Sequence, residues 1–242
     1  MRLDKALTYA MVTRSEAKKL LKSGTVTVNG KSEKDGGKAV SKDDDIRIGG
    51  QKIVIRLHTH IMMNKPAGVL TATEDKHGET TVLDLVGDEV RKADLGPIGR
   101  LDKDVTGLVI LTDDGQLAHR LISPKWDCEK VYEAKAEGRL GEAACAMFES
   151  GMDLGDFTAL PAKLEITEAG EAFSLCRVRI HEGKFHQVKR MLEKTGHPCM
   201  ELKRVSIAGV RLDESLELGA YRYLTDEEEA LLYGAAEMDV EQ

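Results

Sequence analysis

Aromatic residues are scarce in this 242-residue chain, at 4% with a single Trp. No stretch approaches the ~18 uninterrupted apolar residues that a membrane helix requires. Asp4 and Lys5 fall where a targeting segment would need its apolar run, so a cytoplasmic protein without a membrane partner is expected. Cysteine is also sparse: Cys128, Cys145, Cys176 and Cys199 form no CxxC pair, and a chain of this size needs no disulfide staples. Reduced thiols are the expectation. An excess of positive charge is missing as well, with 35 Lys and Arg against 42 Asp and Glu and a net charge of −7. Taken alone, that average counts against a polyanionic partner. What is present is the composition of a globular protein, 41% hydrophobic and 32% charged, and enough chain for one large domain or two unequal ones.

The average conceals a segregation of charge. Residues 1–60 carry 13 Lys and Arg against 7 Asp and Glu, a net of +6, which leaves −13 for residues 61–242. Such asymmetry marks an interaction arm or domain. The segment from Asp226 to Gln242 holds seven acids and no base, and reads as a solvated acidic end.

The basic head has the pattern of a small helix-plus-hairpin module. Thr13 and Glu16 have capping-box spacing, so a helix should begin there and stop near Gly24. Ala17, Leu20 and Leu21 form its apolar stripe, while Arg14, Lys18, Lys19 and Lys22 project from the other faces. A shorter helix is expected over residues 3–11. Thr25–Val28 alternates as a strand, Asn29-Gly30 suits a tight hairpin turn, and Ile46–Ile48 and Ile53–Ile55 read as returning strands. Arg56–His60 then reads as a linker of about five residues that permits some reorientation of the head. His58 and His60 lack a third ligand nearby in sequence, and no metal is assigned.

The remaining chain carries one conspicuous carboxylate. Gly99-Arg100-Leu101-Asp102 precedes Leu108–Leu111, an apolar run short enough for a buried strand, which places Asp102 on a loop beside the core. Pro66 and Gly68 break the strand before them. Residues 116–122 read as a helix bearing His119 and Arg120. Lys130, Tyr132 and Ala134 share one face of an alternating strand. Gly183 opens a basic helix running toward Gly196. Between His181 and Arg204 six Lys and Arg face three acids, a basic strip within an acidic domain.

GRLDKDVTGLVILTDDGQLAHRLISP, CEKVY, EGKFHQVKRML and ELKRVSIAGVRLDESLELGAYRYLT resemble the motifs of the pseudouridine synthases acting on ribosomal RNA. The order RLDK…R-SEAKKLL-KSG-TVTVNG resembles the S4 RNA-binding module. The resemblance runs from residue 1 to about residue 226 and implies an α+β chain. An S4 domain (1–58) precedes a catalytic domain (59–235) with a mixed, mostly antiparallel sheet and flanking helices, followed by an acidic tail (236–242). HQVKRM and CEKVY point to the small-subunit branch, hence to 16S rRNA or a small-subunit assembly intermediate as partner, with the enzyme acting as a monomer. Val105 stands where the family usually carries a polar or charged residue.

The resemblance also implies roles. Asp102 would attack C1′ or remove the C2′ proton, Arg100 would enter the space left by the flipped nucleotide, and Tyr132 would stack on the uracil. Lys189 would be the basic partner of Asp102, since a nearby cation favours the charged form of a carboxylate. Arg2, Lys5, Arg14, Lys18 and Lys22 in the head, and Lys184, Arg190, Lys203 and Arg204 in the strip, would contact phosphates. The isomerisation gains no atoms, so no cofactor is expected. Three rivals remain: a synthase for large-subunit rRNA, a non-catalytic S4-containing assembly protein, and a hydrolase pairing Asp102 with His119 or His186. Glycoside hydrolysis ordinarily needs a second matched carboxylate, whereas these motifs supply a cation and a phenol.

Overall fold

The computed structural model describes residues 1–9, 12–41, 44–53, 58–87, 90 and 95–239. The chain separates into two compact units, one built on Met1–Thr59 and the other on His60–Val86 and Ala93–Val240.

In the first unit, α1 (Leu3–Tyr9) and α2 (Arg14–Ser23) pack on a four-stranded sheet. The strands are β1 (Val26–Val28), β2 (Lys31–Ser32), β3 (Ile46–Ile48) and β4 (Gln51–Lys52), in the order β2-β1-β3-β4. The capping box forms as its spacing predicts: Thr13 accepts from the Glu16 amide, and Glu16 accepts from the Thr13 amide at 2.9 Å. Gly24 closes the helix in the left-handed region at φ 75. Leu3, Leu7, Ala17, Leu21, Val26, Val28 and Ile46 make the core. Lys18, Lys22 and Lys34 are thereby left on a groove that Asp4 and Asp35 also line. Residues 10 and 11 of the expected first helix, and Val54 and Ile55 of the expected last strand, lie outside the described residues, as do Arg56 and Leu57 of the expected linker.

The second unit is built on a larger mixed sheet. Its elements are β5 (His60–Lys65), β6 (Gly96–Pro97), β7 (Thr106–Thr112), α3 (Gly115–Ile122), β8 (Lys130–Glu137), α4 (Glu142–Ser150), β9 (Met152–Asp153) and β10 (Thr158–Ala159). They continue through β11 (Lys163–Ala169), β12 (Phe173–Ile180), α5 (Gln187–Lys194), β13 (Cys199–Ile207), β14 (Val210–Arg211), β15 (Tyr221–Tyr223) and α6 (Asp226–Ala235). The strand order is β11-β12-β8-β13-β7-β5-β15, with β14 on β13 and β6 on β7. Among the described strands only the β13–β7 pair is parallel, so the chain is an α+β protein with a mixed, mostly antiparallel sheet. Alternation along the strands puts Met62, Leu108 and Ile110 against α3 and α6 in the core. The registers Tyr132↔Val178, Ile180↔Lys130 and Leu202↔Ala134 bring Tyr132, Ile180 and Leu202 onto one shared face.

Two expectations are corrected. His60 is not linker but the buried first residue of β5: its ring lies 2.9 Å from the Thr112 hydroxyl and 3.3 Å from the Tyr233 hydroxyl. Nor is the segment 226–236 a loose acidic end. Thr225 and Glu228 form a second capping box, and four acids in the first turn of α6 complement its N-terminal dipole. Leu232, Tyr233 and Ala236 bury in the core. Arg222 ties this helix down through Glu228 at 2.7 Å and Asp213 at 2.8 Å. Residues 240–242 lie outside the described residues.

Candidate active site

Asp102 sits in a loop that the fold fixes from several sides. Thr71 donates to the Leu101 carbonyl at 2.8 Å and accepts the Leu101 amide at 3.2 Å. The Gly68 amide donates to the Lys103 carbonyl at 2.8 Å. Beneath the loop, the fully buried Lys65 at the end of β5 donates to the carbonyls of Pro66, Lys103 and Val105 at 2.8–3.2 Å. Burial lowers the Lys65 pKa to about 8, against the attraction of Asp104 and Asp102. Three carbonyl acceptors are what make an ammonium tolerable there.

At its far end the loop runs into the parallel junction with β13. Thr106 and Gly107 of β7 register with Lys203 and Arg204. Gly107, at φ +101, lets the two backbones approach: a Cβ there would stand 2.2 Å from the Arg204 carbonyl oxygen.

The Asp102 carboxylate faces α5. Lys189 Nζ lies 3.0 Å from Asp102 Oδ2 and 2.7 Å from Asp104 Oδ1, so one ammonium is shared by two carboxylates. The Asp102 side chain is 27% exposed and that of Asp104 is 74% exposed, which makes the first a half-buried group and the second a rim group. Hydrogen bonding to Lys189 holds the Asp104 carboxyl below the usual carboxylate range. Burial works to lower the Lys189 pKa, yet the bonds to Asp104 and Asp102 prevail and raise it above its ordinary value. The ammonium is therefore charged at neutral pH. His186 Nε2 approaches Asp102 Oδ1 at 3.5 Å from the other side.

Arg100, Asp102, Tyr132, Lys184 and Lys189, which the sequence scatters over ninety positions, line one cleft together with Leu101, Val105, Ile180 and Leu202. Arg100 is exposed at its mouth, and Tyr132 is buried in its wall with 7% exposure. A carboxylate beside a fixed cation and an aromatic wall can attack an electrophilic carbon of a substrate held in the cleft or take a proton from it.

The RNA pseudouridylate synthase family matches residues 59–194, and the S4 domain matches residues 1–46. The ribosomal small subunit pseudouridine synthase A of Vibrio cholerae is 42% identical over 236 residues, covering 96% of this chain and all of that protein. The chain belongs to the RNA pseudouridylate synthase family. Another member similar to it, the ribosomal large subunit pseudouridine synthase B of Bacillus subtilis, is 35% identical over 230 residues, covering 94% of this chain and 93% of the relative. A crystal structure of a pseudouridylate synthase superimposes with a TM-score of 0.67 at 37% identity, covering 96% of this chain and 99% of the other. The chain is an RNA pseudouridine synthase with an S4 domain.

Within that family frame, two residues of the basic strip are placed otherwise than the sequence suggests. Arg204 is only 1% exposed: its Nε donates to the Leu108 carbonyl at 2.8 Å, and its guanidinium lies inside the sheet instead of on a phosphate surface. Arg190 is engaged by Asp156 and the Leu154 carbonyl, and its guanidinium stands 4.9 Å from the Phe157 ring centre. That arginine pins the β9–β10 hairpin. Lys184 is exposed and Lys203 half-buried.

Sequence reasoning also missed Lys65 and Asp104. The NKPAG stretch at the end of β5 was a signal for the first, and the second acid of GRLDKD for the other. His119 is exposed on α3, and it is His186 that stands beside Asp102.

Proposed function

We propose that this synthase isomerises one uridine of 16S rRNA, the uridine 516 type, with Asp102 as the catalytic carboxylate. The observation that carries the chemistry is the half-buried Asp102 carboxylate held 3.0 Å from Lys189 in a cleft walled by Tyr132. Pseudouridine formation breaks the N1–C1′ bond, turns the base, forms C5–C1′ and releases the C5 proton, so that the RNA gains and loses no heavy atom. Asp102 either attacks C1′ or takes the C2′ proton to give a glycal; both steps need an ionised carboxylate. Lys189 holds that carboxylate in place through their ion pair. Arg100, exposed at the cleft mouth, occupies the stack vacated by the extruded nucleotide, and Tyr132 packs on the uracil and assists loss of the C5 proton.

Arg2, Lys5, Arg14, Lys18 and Lys22 of the S4 domain hold phosphates, and Lys184 and Lys203 hold them beside the cleft. Arg190, bound to Asp156, braces the β9–β10 turn instead of a phosphate. The small-subunit assignment is supported by the Vibrio cholerae relative, named for that subunit, and by HQVKRM and CEKVY in this chain. The Bacillus subtilis relative, named for the large subunit, supports the second reading, a large-subunit target. Carbodiimide-induced reverse-transcription stops mapped across both rRNAs of a deletion strain separate the two. Loss of one stop in 16S rRNA is expected, and loss confined to the large-subunit rRNA would overturn the assignment.

A further inference from the structure

Phe185 is the most exposed large hydrophobic side chain among the described residues, at 71%. The chain has only four Phe. The other three have been put to use: Phe148 is fully buried, Phe157 lies under Arg190, and Phe173 lies under Lys135. Single exposed apolar residues are ordinary on protein surfaces, but Phe185 differs in being anchored. Its ring stacks on the His186 imidazole with centroids 3.7 Å apart and planes at 18°. His186 is itself held in the left-handed region at φ 52, and its Nε2 lies 3.5 Å from Asp102. The stacked pair therefore forms a step that starts at the candidate catalytic carboxylate and ends in solvent. Lys184, also exposed, stands next to it in the chain and lines the cleft with His186.

We infer that the outer face of Phe185 is a stacking platform for a nucleobase adjacent to the target uridine. This subsite is distinct from the pocket for the extruded base. The inference rests on the uridine-isomerising reading above. Arg100 enters the place that the uridine vacates, and a flanking nucleotide drawn out of the stack beside it meets the flat Phe185 ring, which accepts it without regard to base identity. Aromatic faces accept any base, whereas base-edge hydrogen bonds would discriminate. A phosphate 5′ or 3′ of the stacked base falls within the reach of Lys184, whose ammonium complements it. The occupant is thus one unpaired RNA nucleotide, and the platform contributes to holding the RNA strand open at the site.

The test uses full-length protein and an rRNA-fragment transcript carrying 5-iodouridine either at the nucleotide flanking the target or at the target itself. Irradiation is expected to crosslink the flanking position to Phe185, recovered in the tryptic peptide running from Phe185 to Lys189. Phe185→Leu is expected to lower kcat/KM by about 10- to 100-fold, chiefly through KM, with Phe185→Trp restoring it, as loss and recovery of one base–aromatic stack require. Crosslinking at Phe185 from the target position alone, or Phe185→Leu within about twofold of wild type, would overturn the platform. Repeating the crosslink with Asp102→Asn separates the two readings. A flanking crosslink in that variant upholds the platform whatever its turnover, while retained turnover overturns only the role of Asp102.

Discussion

Replacing Gly107 with alanine probes whether the close junction of β7 and β13 fixes the loop that carries Asp102. A Cβ at this position would lie 2.2 Å from the Arg204 carbonyl oxygen, 2.9 Å from the Arg204 amide nitrogen and 2.9 Å from Lys203 Cγ. The two Arg204 atoms belong to the β13 backbone in register with Gly107, so no side-chain rotation relieves the overlap. An L residue at this positive φ costs about 1–3 kcal/mol. Moving a packed strand aside adds about 1–3 kcal/mol of overpacking. Together these reach about 2–6 kcal/mol, a large share of the roughly 5–15 kcal/mol by which folded domains are stable. At about 2–4 °C for each kcal/mol in a chain of this size, the midpoint should fall by on the order of 10 °C. Shifting β13 also strains the bond from Arg204 to the Leu108 carbonyl. The single Trp, Trp126, lies in the catalytic unit and gives a near-ultraviolet signal for its thermal unfolding. A midpoint within about 2 °C of wild type would refute the argument, because it would mean the junction yields for under about 1 kcal/mol.

Two further perturbations follow from charge. Burial holds the Lys65 pKa at about 8, below its ordinary 10.5, so between those values the unfolded chain binds more protons and this group's contribution to stability rises with pH. The unfolding free energy of wild type minus that of Lys65→Met should therefore increase across that window, and a flat or falling difference would contradict the assignment. The same variant removes the donor to three loop carbonyls and should lower turnover about tenfold or more through misplacement of Asp102. In the S4 domain, Arg14→Ala, Lys18→Ala and Lys22→Ala should each flatten the slope of log affinity against log salt by about 0.7–0.9 for RNA binding measured by anisotropy. Slopes unchanged in all three would remove the α2 face from the RNA-binding surface.

Much of the fold and the site can be read from local sequence, because local chemistry dictates it. The capping box at Thr13 and the left-handed stop at Gly24 need only neighbours along the chain. The apolar run of β7 is a buried strand for the same reason. The motifs bearing Arg100, Asp102, Tyr132 and Lys189 likewise identify residues that meet at one cleft. What is not legible depends on partners far away in sequence. Lys65 looks like any surface lysine until its three carbonyl acceptors, two of them about forty residues distant, are in place. Arg204 counts as a surface cation in any tally of the basic strip, whereas the parallel register with β7 turns it inward onto Leu108. The acidic stretch after Asp226 reads as solvated because its seven acids stand without a base. Its apolar residues, among them Leu232, Tyr233 and Ala236, dock the helix, and Arg222 holds it through Glu228.

The central claim is that Asp102 performs the chemistry, and Asp102→Asn tests it most directly. Asparagine keeps the shape and can still hydrogen-bond to Lys189, but it neither attacks C1′ nor takes a proton. With 16S rRNA carrying uridine tritiated at C5, the variant should bind the RNA with an affinity near that of wild type and release no tritium. Tritium release at the wild-type rate would contradict the account. So would release of free uracil by the wild-type enzyme, which would mark the reaction as hydrolysis rather than isomerisation.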